Sequence, residues 1–93
     1  MKIAVTYENG EVYQHFGHSE YFKFYEIENG KVVASEVVAT DGTGHGALAG
    51  FLKERGAEVL LCGGIGGGAI AALAEAGIEV YPGVQGNADE SVN

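Results

Sequence analysis

An α/β domain built on one mixed sheet is the fold that this 93-residue sequence predicts. Three observations carry that prediction. Lys2 to Tyr7 alternates between apolar and small or polar positions, an Asn29-Gly30 turn joins two runs of strand-forming residues, and after Thr40 helical spacing alternates with short apolar runs.

In the first strand Ile3, Val5 and Tyr7 share one face and Ala4 and Thr6 the other, and an Asn9-Gly10 turn follows. Tyr21 to Glu28, rich in aromatics, is the second strand. Only Asn29-Gly30 separates it from Lys31 to Thr40, so the second and third strands form an antiparallel hairpin. Asp41-Gly42-Thr43-Gly44-His45-Gly46 is a glycine-rich loop. A helix comes next, with Leu48, Phe51 and Leu52 on its apolar face, Lys53, Glu54 and Arg55 toward water, and Gly56 as its stop. Val59 to Cys62 is an uninterrupted apolar run, as expected of a strand buried on both faces. After the glycines of 63–68 a second helix runs from Ala69 to Ala76, with Ile70, Leu73 and Ala74 inward, and Ile78 to Tyr81 is the last strand. Asn87 with Glu90 three residues later has the form of a capping box opening a third helix of about one turn.

The element order is therefore β-β-β-α-β-α-β. Strand–helix–strand crossovers are right-handed in nearly all proteins, and the buried fourth strand belongs beside the first. The expected sheet has five strands in the order 3-2-1-4-5, with strand 2 antiparallel to the rest. Both crossovers run the same way, so both helices cover one face. The other face needs a cover, either the segment after Gly86 or a second copy of the chain, a possible homodimer through the open sheet face.

Composition narrows the function. One domain over residues 1–93, 46% hydrophobic, is globular and not a disordered acidic chain. No apolar run approaches the length of a membrane span, and a strand pattern begins at once without a leader, so a cytoplasmic protein is expected. A net charge of −8 argues against nucleic acid as a partner, since phosphate backbones need clustered Lys and Arg. A single cysteine, Cys62, excludes an internal disulfide and a four-cysteine site.

Chemistry gathers at one edge. Ligands of open α/β sheets bind outside the carboxyl ends of the parallel strands. In the expected topology that edge receives His15 and His18 from His15-Phe16-Gly17-His18, His45 from the glycine loop, and Cys62 with Gly64 and Gly66 from the fourth strand. Gly64-Ile65-Gly66-Gly67-Gly68-Ala69 matches a dinucleotide fingerprint in form, but it follows the fourth strand and no acidic residue ends the next. No Gly-Lys-Ser/Thr is present, Thr6, Tyr7, Leu61 and Cys62 supply no paired carboxylates for a two-metal nuclease, and no serine sits in a nucleophile elbow.

Lys2-Ile3-Ala4-Val5, His15-Phe16-Gly17-His18 with Phe22, Leu61-Cys62-Gly63-Gly64-Ile65-Gly66 with Ala69, and Ala76-Gly77-Ile78-Glu79-Val80-Tyr81 together resemble the dinitrogenase iron–molybdenum cofactor biosynthesis family. That family includes NifX, NifY and the C-terminal domain of NifB, and the resemblance covers nearly the whole chain. It implies a ribonuclease-H-like fold without nuclease chemistry. It also implies a non-enzymatic role in binding or carrying an iron–sulfur or iron–molybdenum type cluster, exchanged with a metallocluster donor or acceptor protein. By motif the metallocluster ligands fall on His15 and His18, and by loop position on His45. The residues also leave open a mononuclear metal or phosphate-ligand site of enzyme type at the same rim, or a regulatory protein-interaction module without cofactor.

Overall fold

A computed structural model describes residues 1–41 and 47–92. The chain runs β1 (Lys2–Glu8), β2 (Glu11–Val12), a 3-10 turn (Phe16–His18), β3 (Tyr21–Glu28) and β4 (Lys31–Ala39). It continues through α1 (Leu48–Glu54), β5 (Val59–Leu61), α2 (Gly67–Glu75), β6 (Glu79–Tyr81) and α3 (Ala88–Ser91).

Among the described residues the sheet has six strands and not the expected five, which corrects the order 3-2-1-4-5. The path through the sheet is β4-β3-β1-β5-β6, with β2 paired to β1 off that path. The extra strand comes from the turn chemistry of Asn9-Gly10. Both residues take positive φ, 48° and 89°, the geometry of a tight hairpin turn whose twist matches its strands. The chain therefore folds straight back, pairing Glu8 with Glu11 and Tyr7 with Val12. A strand of two residues is too short to show any alternation. Among the longer strands the neighbours are those read from sequence: β3 is antiparallel to β1 and β4, while β5 is parallel to β1 and β6.

Alternation along β1 divides the core in two. Ala4 joins Phe16, Phe22, Phe24, Leu60, Cys62 and Ile78 beneath Leu48 and Leu52 of α1 and Leu73 of α2. Both helices thus cover one face, as same-handed crossovers require. Leu73 of α2 faces the core as expected, but Ala69 and Ala76 pack beside it where Ile70 and Ala74 were expected, Ile70 being 38% exposed and Ala74 exposed. The helix begins at Gly67, and the face it turns to the sheet carries Leu73 between the small residues Ala69 and Ala76.

On the other face Val5, Val12 and Tyr25 pack with Ala88 of α3, flanked by Ile3, Tyr7, Ile27, Leu61, Val84 and Val92. The segment after Gly86 supplies this cover. Asn87 caps α3, accepting from the Glu90 amide at 3.0 Å. Asp89 clamps the helix to the sheet, its Oδ1 accepting from the Tyr25 hydroxyl at 2.6 Å and from Lys23 Nζ at 2.7 Å. Among the described residues no helix is long and apolar enough to cross a membrane.

The clamp has a pH signature. Hydrogen bonds from Lys23 and then Tyr25 hold the Asp89 carboxyl below its ordinary value. A carboxylate with a lowered native value stabilises the fold above its unfolded pKa, near 3.8, and loses that contribution as pH falls through the native value. Asp89 is largely exposed, so the effect is small and weakened by salt. Protection of the α3 amides, taken relative to the exchange of an unstructured chain at the same pH, is expected to fall modestly below about pH 4 in the native protein. In Asp89→Asn that protection should be lower at neutral pH and change little on acidification.

Candidate functional site

The edge at which β1, β5 and β6 end is sewn together by main-chain bonds. Thr6, wholly buried in β1, donates its hydroxyl to Tyr13 O at 2.8 Å, while the Tyr13 amide returns a bond to Thr6 O at 2.9 Å. The next residues run beside the end of β5. Gly64 N donates to Gln14 O at 2.7 Å and Phe16 N donates to Gly64 O at 3.0 Å, which makes His15 and Gly64 a parallel bridge pair. Across the same loop Gly83 N donates to Gly63 O at 3.0 Å and Val84 N to Cys62 O at 2.9 Å. Gln14 ties both sides, its side-chain amide donating to Val12 O and Val84 O at 3.0 and 3.1 Å.

The approach is so close that it explains Gly63 and Gly64. A Cβ on Gly64 would stand 2.8 Å from Gln14 O, and one on Gly63 would stand 2.7 Å from Gln14 Cα. Neither position has room for a side chain. Gly66, Gly67 and Gly68 are different, since nothing lies within 4 Å of the position of their Cβ. Gly66 precedes the first turn of α2, whose leading amides lack intrahelical partners and carry partial positive charge.

Phe16 organises the histidines. Its ring is buried in the helix-side core, edge-on to Phe22 with centroids 6.0 Å apart. A 3-10 turn follows, closed by His18 N donating to His15 O at 3.0 Å. Three residues per turn bring positions i and i+3 to the same side, so His15 and His18 emerge together around the anchored phenylalanine. Both are exposed, their rings at 6.5 Å and nearly perpendicular, and Tyr13 stacks edge-on against His15 at 6.0 Å. Beyond His18 a cleft of about 390 Å³ is lined by Gly17, His18, Ser19, Glu20, Tyr21, Ala39, Thr40 and Asp41. Buried Thr40 holds its far wall to the start of β3, its amide donating to Glu20 O at 2.9 Å.

The sequence-derived set is thus divided. His15, His18, Gly64 and Gly66 lie on one continuous stretch of rim, whereas His45 lies outside the described residues. Cys62 is wholly buried in the helix-side core, where desolvation pushes its thiol up to about 11. It behaves as a small core residue, away from the surface its neighbours line. Thr6, Gln14 and Thr40 hold the rim together and carry no sequence signal that would have singled them out.

Among the described residues no group of three or more His, Cys, Asp or Glu converges closely enough to hold a metal ion. Two imidazoles on one tetrahedral ion, each about 2.0–2.1 Å from it, would bring their centroids to roughly 5 Å. The rings stand 6.5 Å apart, so sharing one ion would require the two exposed side chains to turn toward each other. Imidazole is a ligand that iron accepts, and backbone amides can donate hydrogen bonds to an anion; with a single cysteine, buried in the core, no four-thiolate site is available.

Comparison with known proteins agrees with the sequence resemblance. A family model described as dinitrogenase iron-molybdenum cofactor matches residues 1–93. The protein MJ0580 of Methanocaldococcus jannaschii is 32% identical over 98 residues, covering 99% of this chain and 82% of that protein. Among solved structures, that of PH0822 superposes with a TM-score of 0.94 at 38% identity, covering 99% of this chain and 85% of that one. The apo form of the orange protein from Desulfovibrio gigas gives a TM-score of 0.85 at 32% identity, covering 98% of this chain and 82% of that one.

Proposed function

The chain belongs to the dinitrogenase iron-molybdenum cofactor family, and from that premise we propose that it is a non-enzymatic accessory carrier for an iron–sulfur or iron–molybdenum type cluster. The cluster is its cargo, taken from one protein and delivered to another in the cytoplasm. His15 and His18 are the imidazole ligands, His45 a further ligand by its place in the glycine loop, and Gly64 and Gly66 keep the surface beside them open. Backbone amides at the start of α2 offset the negative charge of the cargo. A ribonuclease-H-like kinship of the fold belongs to the same reading, supported by the strand order β4-β3-β1-β5-β6.

One observation carries the proposal: the exposed His15–His18 pair, held around buried Phe16 and bridged at His15 to Gly64. Two labile ligands and no accessible thiol suit cargo that must leave again. Cys62 is left out of the ligand set because its sulfur is in the core.

Anaerobic titration with reconstituted cluster, followed by visible absorbance, tests this. Wild-type protein is expected to bind saturably, the double variant His15→Ala/His18→Ala to lose at least about tenfold in affinity with its fold intact, and Cys62→Ala to bind as wild type. Cluster binding that survives loss of both histidines, or that fails in Cys62→Ala, contradicts the assignment. Retention of zinc with no uptake of cluster would point to a mononuclear site.

A further inference from the structure

The longest strand is also an outer one. β4 has nine residues and, among the described strands, pairs with β3 alone. Its residues from Lys31 through Val37 are all exposed, with Val32, Val33 and Val37 at 41, 54 and 46%. The free side of such a strand is a row of unpaired backbone donors and acceptors, which proteins normally blunt by shortness, proline, charge, β-bulges or cover, and of these β4 has a single bulge near its start. The opposite outer strand, β6, has three residues. β4 is long, lacks proline and carries one positive and one negative residue, in a chain whose net charge is −8.

We propose that β4 is a dimerisation edge that pairs antiparallel with β4 of a second copy of this chain, about a two-fold axis at Ser35. The strand is self-complementary: Val32-Val33 and Val37-Val38 flank Ala34-Ser35-Glu36. An isologous contact needs this symmetry, because each residue meets the same patch on its partner. Val33 is the extra residue of a bulge, since Ala34 pairs with Glu26 and Val32 with Ile27. With that residue set aside in both copies, Val37 comes opposite the partner's Val32 on the α3-bearing face, on both sides of a central Ser35 pair.

The two charges within the strand fit a second copy as the occupant, against the general repulsion of two acidic chains. Lys31 pairs with Glu28 and Glu36 with Phe24, so both lie on the helix-bearing face. In this register each Lys31 stands diagonal to the partner's Glu36, giving two symmetric opposite-charge pairs. β4 is thereby a neutral, apolar strip through which two strongly acidic molecules can meet. Nine residues a side is well short of the roughly 20–30 of a standard interface, so the dimer is weak and concentration-dependent. Pairing also uses up the long edge of each copy, so assembly closes at two.

Sedimentation of the full chain from on the order of 10 μM to 1 mM is expected to show mass rising toward the dimer. The rise should be stronger at about 0.15 M salt than at about 0.01 M, because screening relieves the repulsion between acidic copies. Val32→Lys with Val37→Lys sets like charges opposite one another and should weaken association about tenfold or more. Ile70→Lys, at an exposed apolar position on α2, should not. Diamide should cross-link Ser35→Cys, because directly opposed Cα atoms lie about 4.5–5.5 Å apart, within disulfide range. Glu36→Cys, offset from its counterpart, should cross-link poorly. A chain that stays monomeric throughout with Ser35→Cys unlinked overturns the proposal, as does a dimer indifferent to the paired lysines. Should the lysine variant fail to fold by circular dichroism, the Ser35→Cys result decides alone.

Discussion

Phe16→Ala is expected to cost about 3–5 kcal/mol, the usual range for emptying a buried aromatic site. Phe16 is 3% exposed and lies among Ala4, Phe22, Leu48 and Leu60 in the helix-side core. A domain of this size has about 5–15 kcal/mol in total, so urea unfolding should show a midpoint far below that of wild type. The same ring fixes the turn that brings His15 and His18 to one side. Whatever fraction of the variant folds should therefore bind cluster poorly, although both histidines remain. A loss below about 1 kcal/mol with full cluster binding would mean that the ring neither anchors the loop nor fills the core as described.

The second large effect is expected at the glycines beside Gln14. In Gly64→Ala the new methyl would lie 2.8 Å from a backbone oxygen. In Gly63→Ala it would lie 2.7 Å from the Gln14 Cα and 2.5 Å from Gln14 Oε1. The side-chain oxygen can swing away, but the backbone atoms can move only by parting the 13–16 segment from the end of β5. Each substitution should cost about 1–3 kcal/mol, as overpacking does, and should displace His15. Gly66→Ala is the matched control: its space is open and its φ of −83° is ordinary for alanine. It should change stability by no more than about 0.5 kcal/mol. Thermal unfolding of the three variants side by side checks the contrast, and equal losses would contradict it.

Much of the fold was legible because its signals are local. Asn29-Gly30 takes positive φ at both positions, 53° and 76°, and closes the β3–β4 hairpin where the residues say it should. Alternation along Lys2 to Tyr7 puts Ile3, Val5 and Tyr7 on one face and Ala4 on the other, and in the structure these are the α3-bearing and the helix-bearing faces. The Asn87 cap was written in the spacing to Glu90. What escaped depends on partners distant in sequence. β2 exists through pairing across a turn, and the bulge at Val33 through mismatch with β3.

The site divides along the same line. Convergence of His15 and His18 with the Gly64 loop follows from strand directions alone, and those can be read from sequence. Exposure cannot, and it separates the exposed histidines from Cys62. A cysteine closing an apolar run has the same sequence signature whether its sulfur faces the rim or the core.

In the proposed function, cargo cluster is held by the His15 and His18 imidazoles. Electron spin-echo spectroscopy of cluster-loaded protein, prepared in a paramagnetic state with histidine labelled in ¹⁵N, reads that contact directly. Modulation from imidazole nitrogen is expected in wild type and should vanish in His15→Ala/His18→Ala. Bound cluster without histidine nitrogen coupling in wild type, or coupling that persists in the double variant, would contradict the account.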